Sequence, residues 1–128
     1  MNNIYNSIYK KDLLEPEVFQ SLKNNIECDV SIVGGGFTGL SSAIELAEAG
    51  LNVCIFEKEY IGCGASGRNG GHLVQGWSTD FSKLQKSIDN KDHKMAWDAG
   101  IEAVSIVRNR IKKYNINCDL QMGYVYAA

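Results

Sequence analysis

The sequence has little of the features that mark several classes of protein. Its 128 residues contain one proline, two histidines and four cysteines, and no apolar run is long enough for a signal peptide or a membrane span. The cysteines lack the paired spacing of zinc sites and redox dithiols, so we predict no metal site and four reduced thiols. Without a leader, the default expectation is a cytoplasmic protein.

An excess of charge of either sign is also missing. Thirteen basic residues stand against fifteen acidic residues, which gives a formal net charge of −2. The sequence has neither a basic stripe for nucleic acid nor a polybasic patch for a membrane surface. We therefore predict no nucleic-acid partner and no membrane partner, and the composition leaves the oligomeric state open.

Glycine, by contrast, is concentrated in a stretch that has the pattern of a nucleotide-binding unit. Gly34, Gly36 and Gly39 match G-x-G-x-x-G. The apolar run at 30–33 before them suits a buried parallel strand, and the spacing after them predicts a helix over about 38–49. The predicted apolar stripe of that helix is Leu40, Ala43, Ile44 and Ala47.

Each glycine of the pattern has a separate predicted role. Gly34 can adopt the backbone angles of a tight exit from the strand, Gly36 lets the main chain approach a pyrophosphate, and Gly39 lets the helix lie close to the sheet. A second apolar strand, 51–56, ends at Glu57, where an acid can bind ribose hydroxyls. The alternatives are a glycine turn without a ligand and, for a true site, either FAD or NAD.

A second glycine-rich stretch, 62–72, follows where a simple NAD domain would have a short loop. Together, segment 33–43, Glu57 and segment 64–71 resemble the N-terminal part of FAD-dependent oxidoreductases of the D-amino-acid oxidase superfamily, most of all its gamma-glutamylputrescine oxidase branch. The resemblance covers about residues 27–128. It implies tightly bound FAD and oxidation of the C–N bond of a small-molecule amine or amino acid.

The resemblance also implies which residues contact the cofactor. Gly34, Gly36 and Gly39 would line the pyrophosphate, and Glu57 would bind the adenosine ribose. Ser66 and Arg68 would lie near the phosphates, and segment 69–72 near the flavin ring. The full predicted cofactor-binding set is Gly34, Gly36, Phe37, Thr38, Gly39, Glu57, Lys58, Ser66, Arg68, Asn69, Gly70, Gly71 and His72.

Several of these assignments have a simpler alternative. Ser66 and Arg68 could belong to a solvated loop, and His72 could be a packed or hydrogen-bonded loop histidine. Members of the superfamily differ in whether the flavin is covalently attached, and only His72 and Cys63 are nearby candidates for a tether. We predict non-covalent FAD. No catalytic residue is assigned, because the residues that position substrate are expected beyond residue 128.

The predicted fold class is α/β: an incomplete Rossmann-like FAD-binding βαβ unit followed by helices and the first strand of a substrate domain. The predicted divisions are an N-terminal extension (1–27), the FAD-binding unit with its glycine-rich loop (28–78) and a truncated helical segment (79–128). Within the last, we predict a helix near residue 80 with Phe81, Leu84 and Ile88 inward and a cap at Ser78 or Thr79. A second helix over about 92–114 has the apolar stripe Trp97, Ile101, Val104, Val107 or Arg108, and Ile111, which we expect in the core, and a strand covers 119–127.

Two other functions stay open at this point. One is a different flavin or NAD enzyme with the same opening, such as a dehydrogenase that uses an acceptor other than oxygen. The other is a non-catalytic nucleotide-binding module that is complete at 128 residues. Because two parallel strands cannot cover both faces of a sheet, we expect instead the N-terminal part of a longer enzyme.

Overall fold

The computed structural model describes residues 19–123. The chain divides into two compact units, one up to Gly71 and one from His72 onward, and each is described by itself. The glycine-rich stretch before Gly71 therefore groups with the nucleotide-binding pattern. The three-part division drawn from the sequence stays a prediction.

The first unit is a parallel βαβ motif. Strand β1 (Val30–Val33) pairs with strand β2 (Val53–Phe56) in the register Val30 with Val53 through Val33 with Phe56, and helix α1 (Phe37–Glu48) connects them. Gly50, at φ +89°, ends the helix: its N–H donates to the carbonyl oxygen of Ala47, as that of Leu51 does to Leu46. The predicted strands and helix are confirmed within a residue or two.

Helix α1 packs on one face of this two-stranded sheet. Ala43 is buried and Leu40 and Ile44 are half-buried, as the stripe predicts, but Ala47 is exposed and Leu46 is the half-buried residue of the last turn. On β1, Ile32 is half-buried, whereas Val33 is 89% exposed. The expectation of a fully buried β1 is therefore wrong among the described residues, because α1 covers a single face of the sheet.

The second unit contains two helices. Helix α2 (Phe81–Gln85) is short, and a 3₁₀ turn (Asn90–Asp92) leads into helix α3 (His93–Lys113). The N-cap residue of α2 is Asp80, so the predicted cap at Ser78 or Thr79 is wrong. The helix also ends before Ile88, and the carbonyl oxygen of its last residue, Gln85, accepts a hydrogen bond from the His93 Nε2–H at 3.0 Å.

Helix α3 is positioned by aromatic side chains at its N-terminal half. The Trp77 indole N–H donates to the carbonyl oxygen of Ala96 at 2.9 Å, and the rings of Phe81 and Trp97 meet edge to face with centroids 5.0 Å apart. Gly100, the buried residue of α3, lies against Gly76. A cavity of about 230 Å³ lies among these residues.

The predicted core stripe of α3 is largely exposed. Trp97 is 50% exposed, Ile101 42% and Val107 38%, while Val104 and Ile111 are half-buried. Burial of the stripe is therefore wrong for the described residues, although its helical spacing is right. The stripe is an apolar surface without a covering layer among residues 72–123.

The end of the described chain differs from the predicted strand. After α3, Asn115 adopts a left-handed φ of 50°, and residues 119–123 form no strand. The remainder of that prediction, including Tyr124 and Tyr126, lies outside the described residues. Among residues 19–123, no helix is both long and apolar enough to cross a bilayer, and no cluster of side chains has the composition of a metal site.

Candidate cofactor-binding site

The glycine turn after β1 has a geometry that other residues would disturb. Gly34 has φ +102°, in the left-handed region that favours glycine, and its N–H donates to the carbonyl oxygen of Phe56 at 2.8 Å. At Gly39, an added Cβ would overlap the carbonyl oxygen of Gly34 and lie 3.3 Å from Ile32 Cγ2. The first turn of α1 therefore lies directly against the end of β1.

The N-terminus of α1 is met by a side chain from the second glycine-rich stretch. The Phe37 N–H donates to Ser66 Oγ at 2.9 Å, and a Cβ on Gly36 would lie 3.0 Å from the same oxygen. Gly36 is the N-cap residue and has no side chain to cap the helix, and the first turn of α1 contains no acidic residue. The turn therefore presents backbone N–H groups and one hydroxyl, a combination that suits an anion such as phosphate.

Glu57 faces this turn directly after β2. Its Oε2 accepts a hydrogen bond from the Gly35 N–H at 2.7 Å, and its Oε1 accepts one from the Glu59 N–H at 3.0 Å. These bonds, that of Glu59 first, lower the pKa of Glu57 below its ordinary value because they favour the charged form. Glu57 is therefore a carboxylate at neutral pH, fixed beside the glycine turn.

Gly35 joins the glycine turn to the loop after β2. Its N–H is bound by Glu57, and its carbonyl oxygen accepts a hydrogen bond from the Gly62 N–H at 2.9 Å. An added Cβ on Gly35 would lie 2.5 Å from Ile61 Cδ1. Sequence analysis did not predict this role for Gly35. The sequence does contain a signal for it: three glycines stand in a row at 34–36, although the G-x-G-x-x-G pattern requires glycine only at the first and third of these positions.

The remaining predicted site residues of the first unit lie in the loop around a 3₁₀ turn (Ala65–Gly67). Arg68 Nε donates to the carbonyl oxygen of Gly64 at 3.1 Å, and Asn69 Nδ2 donates to that of Ser66 at 2.6 Å. The Gly71 N–H donates to Asn69 Oδ1 at 2.8 Å. These bonds give the loop its own shape.

The structure thus brings part of the predicted set together. Gly34, Gly36, Phe37, Gly39, Glu57 and Ser66 meet around the start of α1, and Thr38 lies in its first turn. Lys58, Arg68, Asn69, Gly70 and Gly71 belong to the same unit and are exposed. His72 is also exposed and begins the second unit.

A wide cavity of the first unit lies elsewhere. It measures about 920 Å³ and includes Cys28, Asp29 and Asn52 in its lining, near the amino ends of the strands. Ligands of open parallel sheets bind beyond the carboxyl ends of the strands, so the candidate site is the glycine turn and not this cavity.

The cysteines take no part in the candidate contacts to the cofactor. Burial first, and a hydrogen bond with Cys54 second, raise the pKa of the Cys28 thiol. All four cysteines are free.

The donor set fits FAD. Backbone N–H groups and a hydroxyl at a helix N-terminus suit its pyrophosphate, and an ionised acid after the second strand suits the adenosine ribose. A parallel βαβ unit with this arrangement defines the class: a dinucleotide-binding domain of an oxidoreductase.

Comparison with known proteins makes the assignment specific. The family described as FAD dependent oxidoreductase (DAO) matches residues 29–128, and the chain belongs to this family. FAD is therefore its cofactor. The resemblance of the two glycine-rich segments to this superfamily is confirmed.

The chain is similar to several bacterial proteins. It is 47% identical over 110 residues to the gamma-glutamylputrescine oxidoreductase of Escherichia coli (strain K12), which covers 86% of this chain and 26% of that protein. It is 40% identical over 111 residues to the probable oxidoreductase OrdL of Haemophilus influenzae, with 86% and 26% covered. The corresponding OrdL of Rhizobium meliloti is 41% identical over 117 residues, with 91% and 27% covered.

The chain spans about a quarter of the length of these relatives. No solved structure matches it.

Proposed function

We propose that the full-length protein oxidises the C–N bond of a small-molecule amine or amino acid, and that a gamma-glutamylputrescine-like amine is the first substrate to test. The observation that carries the cofactor placement in this proposal is the Glu57 carboxylate fixed 2.7 Å from the Gly35 N–H beside the start of α1. The family supplies the cofactor, and the similarity to the E. coli enzyme suggests the substrate class.

The residues of this chain would hold the cofactor by its adenosine half. The first-turn N–H groups of α1 and the Ser66 hydroxyl would bind the pyrophosphate, since both point to the same corner. Glu57 would accept hydrogen bonds from ribose hydroxyls, and its charge would repel a 2′-phosphate. Arg68 and Lys58 would add positive charge near the phosphates, and Asn69, Gly70, Gly71 and His72 would approach the flavin ring.

The bound flavin would supply the acceptor for two electrons from the carbon next to the substrate nitrogen. The chain's part in this reaction is to orient the cofactor and to keep its phosphates neutralised. We propose no catalytic acid or base among residues 19–123. The substrate is expected to react as the neutral amine, and water hydrolyses the imine product.

We also propose that the flavin is not covalently attached. Of the two candidate tethers, Cys63 forms a hydrogen bond with the acid that we assign to the adenosine ribose, at the other end of FAD from the ring. His72 is the exposed first residue of the second unit, and the absence of a covalent bond from it to the flavin stays part of the proposal. Flavin that stays with the polypeptide after acid precipitation would refute this assignment.

A direct experiment tests the proposed function. We expect the purified full-length protein to be yellow, with flavin absorption bands that bleach when gamma-glutamylputrescine or another primary or secondary amine is added without oxygen. Release of hydrogen peroxide in air would identify an oxidase, and its absence would identify a dehydrogenase. A colourless protein that binds NADH, or a flavin that no amine or amino acid reduces, would refute the proposal.

The cellular setting follows from the same proposal. An enzyme of this class acts on a dissolved small molecule and needs neither nucleic acid nor a membrane as partner. We propose a cytoplasmic location, which fractionation of cells expressing the full-length protein would test.

A further inference from the structure

A thiol that the cofactor assignment does not use lies against the ribose-binding acid. Cys63 Sγ is 3.7 Å from Glu57 Oε1, in a partly buried position, with the S–H as donor. The Cys63 N–H donates to the carbonyl oxygen of Tyr60 at 3.0 Å, and Gly62 before it is bound to Gly35. The backbone on which the thiol stands is therefore tied to the glycine turn itself.

The thiol is one of several hydrogen-bond donors to the Glu57 carboxylate. A carboxylate offers about four lone-pair positions, and the N–H groups of Gly35 and Glu59 occupy one on each oxygen. Cys63 takes a third, on the same oxygen as Glu59. The carboxylate is thus held from the glycine turn on one oxygen and from its own loop on the other.

We propose that Cys63 is a positioning residue for the cofactor, whose S–H fixes the Glu57 carboxylate in the orientation that binds the adenosine ribose. This inference rests on the proposed function, because it takes Glu57 as the ribose acid. The thiol touches neither substrate nor reacting atoms, and no redox step is involved.

The electrostatic surroundings leave the hydrogen bonds as the main influence on Glu57. The neighbouring charged residues are Lys58 and Glu59, whose side chains are exposed. In order of size, the N–H groups of Glu59 and Gly35 lower the pKa of Glu57, burial raises it, and the Cys63 thiol and then the Lys58 N–H lower it. Replacing Cys63 by a residue without a hydrogen-bond donor should therefore raise the pKa of Glu57 toward its ordinary value.

The test uses three variants of the full-length protein, Cys63→Ser, Cys63→Ala and Cys63→Val. The hydroxyl of serine replaces the donor, whereas valine keeps the volume without a donor. FAD is titrated into the apoprotein, and flavin fluorescence gives the dissociation constant at neutral pH and through the acidic range. Far-UV circular dichroism and a thermal melt confirm that each variant folds.

We expect Cys63→Ala and Cys63→Val to raise the FAD dissociation constant by about threefold to tenfold. The effect is limited to this range because a thiol is a weak hydrogen-bond donor, even to a charged acceptor. The apparent pKa below which FAD affinity is lost should rise in both. Cys63→Ser should match the native protein in affinity and in pH profile. A purely space-filling role would spare valine and leave the pH profile unchanged.

Three outcomes would overturn the inference: native affinity in Cys63→Val, an unchanged pH profile in the donor-free variants, or a raised apparent pKa in Cys63→Ser. If alanine and valine prevent folding, the serine variant alone decides through that last measurement. Glu57→Gln separates this inference from the proposed function. If Glu57→Gln binds FAD as tightly as the native protein, the cofactor placement fails. If Glu57→Gln weakens binding but the donor-free Cys63 variants do not, only the role of Cys63 fails.

Discussion

Replacing Gly39 by alanine has two opposite effects on the stability of the protein, one from helix propensity and one from steric overlap. Gly39 lies in the first turn of α1, and alanine at an exposed helical position is favoured over glycine by about 0.8–1.0 kcal/mol. Helix propensity alone therefore predicts a more stable protein. The added Cβ, however, would overlap the carbonyl oxygen of Gly34 and lie 3.2 Å from its carbonyl carbon.

The overlap should exceed the gain in propensity. The obstructing atoms are backbone at the end of β1, held by the Gly34 N–H bond to Phe56, so they cannot rotate away as a side chain would. Forcing an extra methyl group into a packed contact typically costs about 1–3 kcal/mol, and more when the backbone must move. We expect Gly39→Ala to lower the free energy of unfolding and to displace the start of α1, with loss of FAD.

Thermal melts and FAD titrations of the full-length protein measure both effects. Gly64→Ala is the matched control, because nothing lies within 4 Å of its added Cβ and its φ is −78°. The control should melt within about 1 °C of the native protein and keep FAD, whereas Gly39→Ala should melt below the control and lose FAD. A higher melting temperature for Gly39→Ala, with FAD retained, would show that α1 does not lie against β1 in this way.

Four further predictions concern other contacts. Gly36→Val should abolish FAD binding in an absorbance assay of the purified protein, because its side chain would occupy the space between the start of α1 and Ser66 Oγ; retained flavin would contradict the assignment. Glu57→Ala should weaken FAD binding by about 1.5–3 kcal/mol in a fluorescence titration. In the native protein the pKa of Glu57 is lowered, so its carboxylate stays charged at any pH above the ordinary pKa of glutamate. FAD affinity should therefore fall only when the pH drops below that ordinary pKa and passes through the lowered pKa of Glu57. A loss of affinity at higher pH would point to another group. Trp77→Phe keeps the ring but removes the indole N–H bond to Ala96, so urea unfolding should show a loss of about 1 kcal/mol, and an unchanged midpoint would contradict that bond's contribution.

The sequence predicts the βαβ unit well because its information there is local. The strand, turn and helix around Gly34 follow from apolar periodicity and from residues that few other conformations tolerate. The acid at position 57 follows from its spacing to the first glycine. The contact of Glu57 with Gly35 was not predictable, because it depends on the side-chain orientation of one residue and on the path of the loop that follows.

Burial was predicted less well than secondary structure. Trp97 and Ile101 lie at helical spacing, as expected, yet both are largely exposed, and Val33 is exposed on a strand that reads as buried. Periodicity shows which residues share a face, but not whether another element covers that face. Helix α2 is shorter than predicted. The carbonyl oxygen of its last residue, Gln85, accepts a hydrogen bond from the His93 ring, a contact between two elements that no local pattern contains.

The tie between the glycine turn and later residues bears on how the protein is made. Glu57 reaches back across 22 positions to Gly35, and Ser66 across 29 to Phe37. During synthesis the turn therefore lacks both partners until the ribosome has released the chain through Ser66. The proposed nucleotide-binding corner is therefore complete only after that point, although the G-x-G-x-x-G segment is synthesised earlier.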